Sequence, residues 1–357
     1  MTSTAYFFCP DDDRPFGGIR VIYRFVDILN SQGFKAAVAH RSAGFRCTWF
    51  TNRTRIVGAQ DIQLEKGDVL VYPERFRELI PRLAPGVANI ILNQNAYETF
   101  THLPFNEGSS PAITSEDTIG IVCVSEDNHR YLELSFPQVK VERVRVSIDG
   151  NLFRARSLGK ERSLAYMPRK RLKELNEVLQ ILERRGSLTG WGLIPIQGMS
   201  ESATAAALSG AAVFLALNER EGLGLPSLEA MASGCVVVGF HGGVGLEYMR
   251  PGTAIAIDDG DVIEMVHQVE SVLSRWGGDD ELAAMAENAA NLVRREYSPE
   301  VEIADVVKVF GGALENLKDV RPGGHTVNAR LLPKRGALVN LGEQLFAKVQ
   351  TRRPGLS

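Results

Sequence analysis

Cysteine is scarce in this chain, and the four that occur (Cys9, Cys47, Cys123, Cys235) are scattered, with no C-x-x-C pair among them. That excludes a disulfide scaffold and a zinc site built on short-spaced thiols, and leaves buried or half-buried thiols in a reducing cytosol. Long apolar runs are also missing. The longest, such as Ala211–Leu217, fall far short of the ~20 residues that span a bilayer. No basic stretch followed by an apolar one stands near the N-terminus, so no secretory signal is expected and the protein reads as cytoplasmic. A dominant charge is missing as well: the net charge is −3 and the pI about 6.1, without the basic excess that nucleic-acid binding normally shows. Low-complexity tracts are absent despite 34 Gly and 16 Pro.

What is present is an alternation. Short apolar runs at Ala5–Cys9, Lys35–Ala39, Asp68–Tyr72, Ala88–Leu92 and Ile119–Val124 read as strands, with a helix from Ile19 to about Gln32 ended by Gly33. The pattern loosens around Ser147–Asn151, a turn-rich stretch that reads as a linker. It then restarts, with strands at Ser163–Met167, Leu193–Ile196, Ala212–Leu217 and Cys235–Phe240. Helices are expected at Lys170–Arg185, Ser202–Leu208, Pro226–Ser233, Asp261–Trp276 and Glu281–Glu296. Such alternation argues for parallel sheets covered on both faces, in two doubly wound α/β domains. Ligands of such sheets sit beyond the carboxyl ends of the strands, so the loops there are where to look.

The most informative loop runs from Glu221 through Gly222, Leu223, Gly224, Leu225 and Pro226 to Glu229 and Gly234. It follows the strand Ala212–Leu217. Gly222 and Gly224 let the backbone approach a ligand closely, and Pro226 suits a helix start. The helix N-terminus that follows suits a diphosphate. Glu221 before the helix and Glu229 about one turn into it can both face one pocket. Taken singly, each carboxylate also reads as a helix cap; the whole pattern is more specific than either.

This segment resembles the E-x7-E signature of retaining GT-B glycosyltransferases, especially the family 4 group with its EGFGLPxLEAMAxG pattern. His241–Glu247 resembles the glycine-rich turn and acid after the next strand of that family. Val144–Phe153 resembles the stretch leading into its interdomain linker, and Arg294–Glu300, with Tyr297-Ser298-Pro299, its crossing-back segment. The resemblance covers about residues 5 to 316 and is weaker in the first half. It implies two facing Rossmann-like domains, an acceptor-side domain over residues 1–150 and a donor domain over 155–299. A C-terminal helix, about 300–317, would cross back to the first domain.

The resemblance also implies roles. Glu221 would hold hydroxyls of the donor sugar, and Glu229 the ribose. Backbone amides of Gly222, Leu223, Gly224 and Leu225 would touch sugar and phosphates. Arg169 would neutralise the leaving diphosphate together with a lysine, for which Lys173 is the first candidate and Lys170 the second. Gly17 and Gly18 match the glycine pair at the first helix, where a phosphate approaches; on its own such a pair more often marks a turn. Arg20 beside it is either a phosphate contact or a surface charge. Where many family members carry a histidine, this chain has Asn93-Gln94-Asn95, so Gln94 or Asn95 would supply a neutral amide. No histidine stands out as an acid or base; His241 lies nearest the expected site, with a structural role the plainer reading. The run Asp11-Asp12-Asp13 invites a metal, but it lies in a loop of a chain resembling the metal-independent fold, so no metal and no cofactor beyond the nucleotide-sugar donor is expected.

Same-face attack with retention, and a carbohydrate or lipid-linked acceptor, follow from the same resemblance. A nucleotide-sugar epimerase, a phosphorylase, or a non-catalytic nucleotide-sugar-binding subunit of the same architecture are the alternatives. The basic tail, residues 319–357, carries an amphipathic stretch at Ala337–Val349 that suits a peripheral contact at the inner membrane face or a partner; a solvated tail is the plainer reading.

Overall fold

The computed structural model describes residues 3–14, 16–101, 113–155, 159–317 and 326–333. The chain separates into two compact units, one comprising the residues up to Val124, His129–Val144 and those from Ile303, the other Ser125–Asn128 and Arg145–Glu302.

The first unit is a sheet of seven parallel strands. In chain order it holds β1 (Thr4–Phe8), α1 (Gly17–Ser31), β2 (Lys35–His40), β3 (Ile56–Gly58), β4 (Val69–Pro73), α2 (Ile80–Leu83), β5 (Asn89–Asn93), β6 (Thr118–Cys123), α3 (Glu126–Ser135) and β7 (Val141–Arg143). The first turn of α3, through Asn128, clusters with the second unit. In the spatial order β3-β2-β1-β4-β5-β6-β7 the sense in which successive strands are added reverses between β1 and β4. Helix α1 forms because Ile22, Phe25, Val26 and Leu29 recur at helical spacing and bury one stripe. Gly33, at φ +85°, ends it.

The second unit is a sheet of five parallel strands: β8 (Glu161–Tyr166), α4 (Leu172–Arg184), β9 (Gly192–Pro195), α5 (Glu201–Gly210), β10 (Ala211–Leu217), α6 (Leu225–Ala232), β11 (Val236–Phe240), β12 (Ile255–Ile257), α7 (Val262–Arg275) and α8 (Asp280–Glu296). The order β12-β11-β10-β8-β9 reverses between β10 and β8. Every residue of β10 is buried, which accounts for its unbroken apolar run: a central strand has no wet face. Helix starts are capped from the sequence. Ser200 accepts from the Ala203 amide, Asp261 from Glu264, and Asp279 from Glu281 and Leu282.

The chain then enters α9 (Pro299–Val306) and α10 (Gly312–Asn316), joined by a π-helical turn over Val307–Gly311. Phe310 in that turn packs on Phe7 and Phe25 of the first unit, with ring centres 5.0 and 5.9 Å apart. All four cysteines are buried. Among the described residues no helix is long and apolar enough to cross a membrane. Of the basic tail only residues 326–333 are described, so the stretch Ala337–Val349 lies outside them, as do His102 and His325.

Candidate functional site

In the second sheet the crevice at the reversal opens between the carboxyl ends of β8 and β10. A cavity of about 300 Å³ lies there. Met167, Arg169 and Lys170 line it from the loop after β8, Gln197 from the loop after β9, and Asn218 and Glu221 from the loop after β10; Ile196, Leu217 and Pro226 supply apolar wall. The walls are therefore apolar with a few charged groups, the usual make-up of a small-molecule site.

Lys170 and Glu221 form the polar centre. Lys170 Nζ stands 3.3 Å from Glu221 Oε1 and donates to the Glu219 carbonyl at 3.1 Å. The side chains are 30% and 15% exposed, so the pair is partly withdrawn from water. The residue before Glu221 is strained: Arg220 has φ +44°, and the only other non-glycine residue at positive φ among those described is Arg171, at φ +48°. Such conformations cost about 1–2 kcal/mol each and persist where the surroundings impose them.

Those surroundings are a buried network. The Asn218 side chain accepts from Ser227 Oγ at 3.1 Å and donates to Tyr248 Oη at 3.3 Å, while Tyr248 Oη donates to the Gly224 carbonyl at 3.3 Å. Burial pushes the Tyr248 phenol far up, and the nearby Glu221 carboxylate pushes it further, so it stays a neutral donor. Asn128, fully buried at the start of α3, donates to the carbonyls of both Glu221 and Gly222 at 3.2 Å. Gly224, at φ +76°, caps α6; a side chain there would run into Tyr248 Oη. Pro226 has no N–H, and the Ser227 amide bonds back to Gly224 at 3.1 Å. Two early positions of α6 thus offer no amide to an anion, and positive charge for one falls chiefly to Arg169 and Lys170.

The remaining expected residues are distributed as follows. Gly222, Leu223 and Gly224 are buried and Leu225 half-buried. Glu229 is half-buried on α6 and does not line this cavity. Lys173, in the first turn of α4, is exposed and does not line it either. Gly17 and Gly18 open α1 in the first unit, where Gln94 lies against Gly18 and donates to its carbonyl at 3.1 Å. Asn95 instead turns back to accept from the Tyr97 amide. The three aspartates all accept from protein donors: Asp11 from His40 and the amides of Arg41 and Ser42, Asp12 from Arg14, and Asp13 from Thr48. The Gly243 amide donates to His241 Nδ1 at 2.9 Å, so its Nε2 carries the proton and donates to Asp258. Glu247 accepts from the Glu126 amide at 2.7 Å and from Tyr297 Oη at 2.6 Å. Sequence reasoning missed Asn128, Asn218, Tyr248 and Arg171, which carry no motif.

Comparison with known proteins meets this site. Residues 193–292, which contain Glu221 and Glu229, match the family described as glycosyl transferases group 1. An alpha-1,6-glucosyltransferase of Actinobacillus pleuropneumoniae is 53% identical over 49 residues, a match that spans 14% of this chain and 15% of that relative. Over the fold, a sucrose-phosphate synthase from Thermosynechococcus elongatus aligns with a TM-score of 0.66 at 10% identity, covering 88% of this chain and 100% of its own. Anabaena Alr3699/HepE, solved with UDP-glucose, aligns with a TM-score of 0.65 at 10% identity, covering 87% and 99%. A glycosyltransferase from Rickettsia africae aligns with a TM-score of 0.64 at 10% identity, covering 88% and 99%. The chain has the GT-B fold. The match to glycosyl transferases group 1 falls in the unit that holds the cavity.

Proposed function

We infer that the protein is a retaining, family 4-like glycosyltransferase that moves a sugar from a nucleoside-diphosphate sugar to a carbohydrate or lipid-linked acceptor. The observation that carries this reading is Glu221 facing Lys170 at 3.3 Å in a cavity that Arg169 also lines. Such a cavity holds a sugar hydroxyl acceptor beside two cations for a diphosphate.

In this mechanism the bond from the anomeric carbon to the diphosphate oxygen breaks as the bond to the acceptor oxygen forms on the same face. The acceptor's proton passes to the leaving phosphate, so no side-chain base is needed. Arg169 and Lys170 stabilise the charge that develops on the diphosphate. In this reading the phosphate lysine is Lys170, which lines the cavity, rather than Lys173, and with Arg169 it supplies the charge a metal would otherwise bring. Glu221 accepts from donor-sugar hydroxyls in charge-assisted bonds and fixes the ring for attack. Glu229 serves the ribose and the backbone of Gly222–Leu225 the sugar and phosphates.

The test is binding first, turnover second. Unfolding is followed with UDP, GDP, dTDP and ADP, with and without a chelator. One of them, at about 100 times its Kd, is expected to stabilise the fold by about 2.7 kcal/mol, unchanged by chelation. UDP-glucose is the first donor to try, because the Anabaena neighbour was solved with it and the Actinobacillus relative is a glucosyltransferase. Glu221→Ala is expected to lower transfer by about 10²–10³-fold. Absence of binding to all four nucleotides overturns the reading.

A further inference from the structure

The basic run after β8 puts three neighbouring cations to different uses. Arg169 and Lys170 line the cavity, and Arg171 does not. Its side chain is only 8% exposed and turns back under the loops. Nε donates to the Asn218 carbonyl at 2.7 Å, Nη2 to Asp259 Oδ1 at 2.7 Å, and Nη1 to Glu174 Oε1 at 3.3 Å. The guanidinium also lies over the Phe240 ring, 4.9 Å from its centre.

These contacts follow a pattern. Arg171 itself follows β8, Asn218 follows β10, Phe240 ends β11 and Asp259 follows β12. One planar group therefore ties together the carboxyl ends of four of the five strands of this sheet. Asp259 passes the tie on, accepting from the Gly242 amide at 3.3 Å. Asn218 passes it to α6 and Tyr248 through its side chain.

The strain lies at the same place. Arg171 and Arg220, the two residues at left-handed φ, are the immediate neighbours of Lys170 and Glu221. A left-handed turn next to each member of the pair needs something to hold it, and the Arg171–Asn218–Asp259 brace is on hand. We propose that Arg171 is a positioning residue for Lys170 and Glu221: it touches no substrate, and it holds the two strand-end loops so that the cavity pair meets at its observed separation. A lysine cannot do this, since a single ammonium lacks the planar fork and the face that stacks on a ring. The proposal rests on the function inferred above for the rate measurements, and on the geometry alone for the exchange measurement below.

Arg171→Lys keeps the charge and is compared with wild type in three readouts. Hydrogen exchange is expected to quicken by about tenfold in segments covering 218–224 and 241–248, with the strands of the first unit unchanged. Nucleotide affinity is expected to stay within about threefold, while the transfer rate falls by about 10–100-fold, a split that general destabilisation does not give. In a Glu221→Ala background the same change is expected to cost less than about threefold, because two residues acting through one geometry are not additive. Should Arg171→Lys fail to fold, Asp259→Asn at the more exposed end of the brace is expected to show the same split at about 3–10-fold. If wild type binds no nucleotide, the functional reading fails while the exchange result still decides the brace. Unchanged exchange, or rate losses that multiply independently of Glu221, overturns the proposal.

Discussion

At the carboxyl end of β10 a lysine and a glutamate meet beside a cavity, whereas at the carboxyl end of β1 three aspartates are each occupied by neighbouring protein donors. One cavity of the first unit, of about 120 Å³, lies at the other end of its sheet. Glu65 and Asp68 precede β4, Val87 and Ala88 precede β5, and Glu116 and Asp117 precede β6. Four carboxylates there would repel a diphosphate, while Arg169 and Lys170 would attract one. These two cavities thus lie at opposite ends of similarly wound sheets and differ in the sign of the charge that lines them. The winding sets where a ligand can sit; the loops decide whether it does.

The sharpest way to break this division is to remove a cation from the second unit and an acid from the first. Lys170→Ala is expected to lower kcat/KM for transfer by about 10²–10³-fold, equivalent to roughly 3–4 kcal/mol of transition-state stabilisation. Asp13→Asn, in the loop after β1, is expected to leave nucleotide affinity within about twofold, since its carboxylate is engaged by Thr48. Equal losses of affinity in a calorimetric titration of the two variants would erase the distinction.

That distinction was only half visible in the chain as written. The strands stood out where both faces are buried, as in Ala211–Leu217, because an unbroken apolar run leaves little choice. The three-residue strands β3, β7 and β12 did not, since pieces that short carry too little periodicity to tell from loop. Helix α3 was missed because its first turn, Glu126-Asp127-Asn128, is wholly polar, the exposed Glu126 standing beside an Asn128 that is buried against a residue far along the chain. Within the site, Glu221 was legible as part of a local pattern. Asn128 and Arg171 were not, because each acts on a partner 93 or 47 residues away. Choosing between Lys170 and Lys173 likewise needed the direction in which α4 leaves its first turn.

The packing of the two units can be contrasted at two glycines of similar backbone conformation. Gly224 has φ +76° and a Cβ there would strike Tyr248 Oη and come 3.2 Å from Asn218 Oδ1; Gly33 has φ +85° with open space around it. Gly33→Ala is expected to cost about 1–2 kcal/mol, the left-handed penalty alone. Gly224→Ala adds a clash with buried, ring-borne and hydrogen-bonded groups, and is expected to cost about 3 kcal/mol. Denaturant unfolding of both variants measures the difference, and equal losses would mean the loop around Gly224 is no more tightly packed than an open helix end.

A smaller effect, with a pH signature, belongs to the first unit. Burial pushes the Asp11 carboxyl up, but hydrogen bonds from His40 and Ser42 outweigh it and hold the group below the usual carboxylate range. A carboxyl lowered in the folded state stabilises the fold above its unfolded value, about 3.9, and loses that contribution as pH falls through the folded value. Asp11→Asn is therefore expected to reduce stability by about 2 kcal/mol near neutral pH, with the gap closing below about pH 4. A gap of constant size across that range would show that the carboxylate's charge contributes nothing.

The smallest expected effect discriminates most finely. Lys173 is in the first turn of α4 and exposed, whereas Lys170 lies in the turn before the helix and reaches both Glu219 and Glu221. An exposed cation at that distance from the cavity is screened by water and salt, so its pull on a bound diphosphate is slight. Lys173→Ala is expected to change nucleotide affinity and transfer by less than about twofold at moderate salt. A loss approaching that of Lys170→Ala would mean that α4's first turn swings toward the phosphate when donor binds, and that the cavity seen here is an open form of the site.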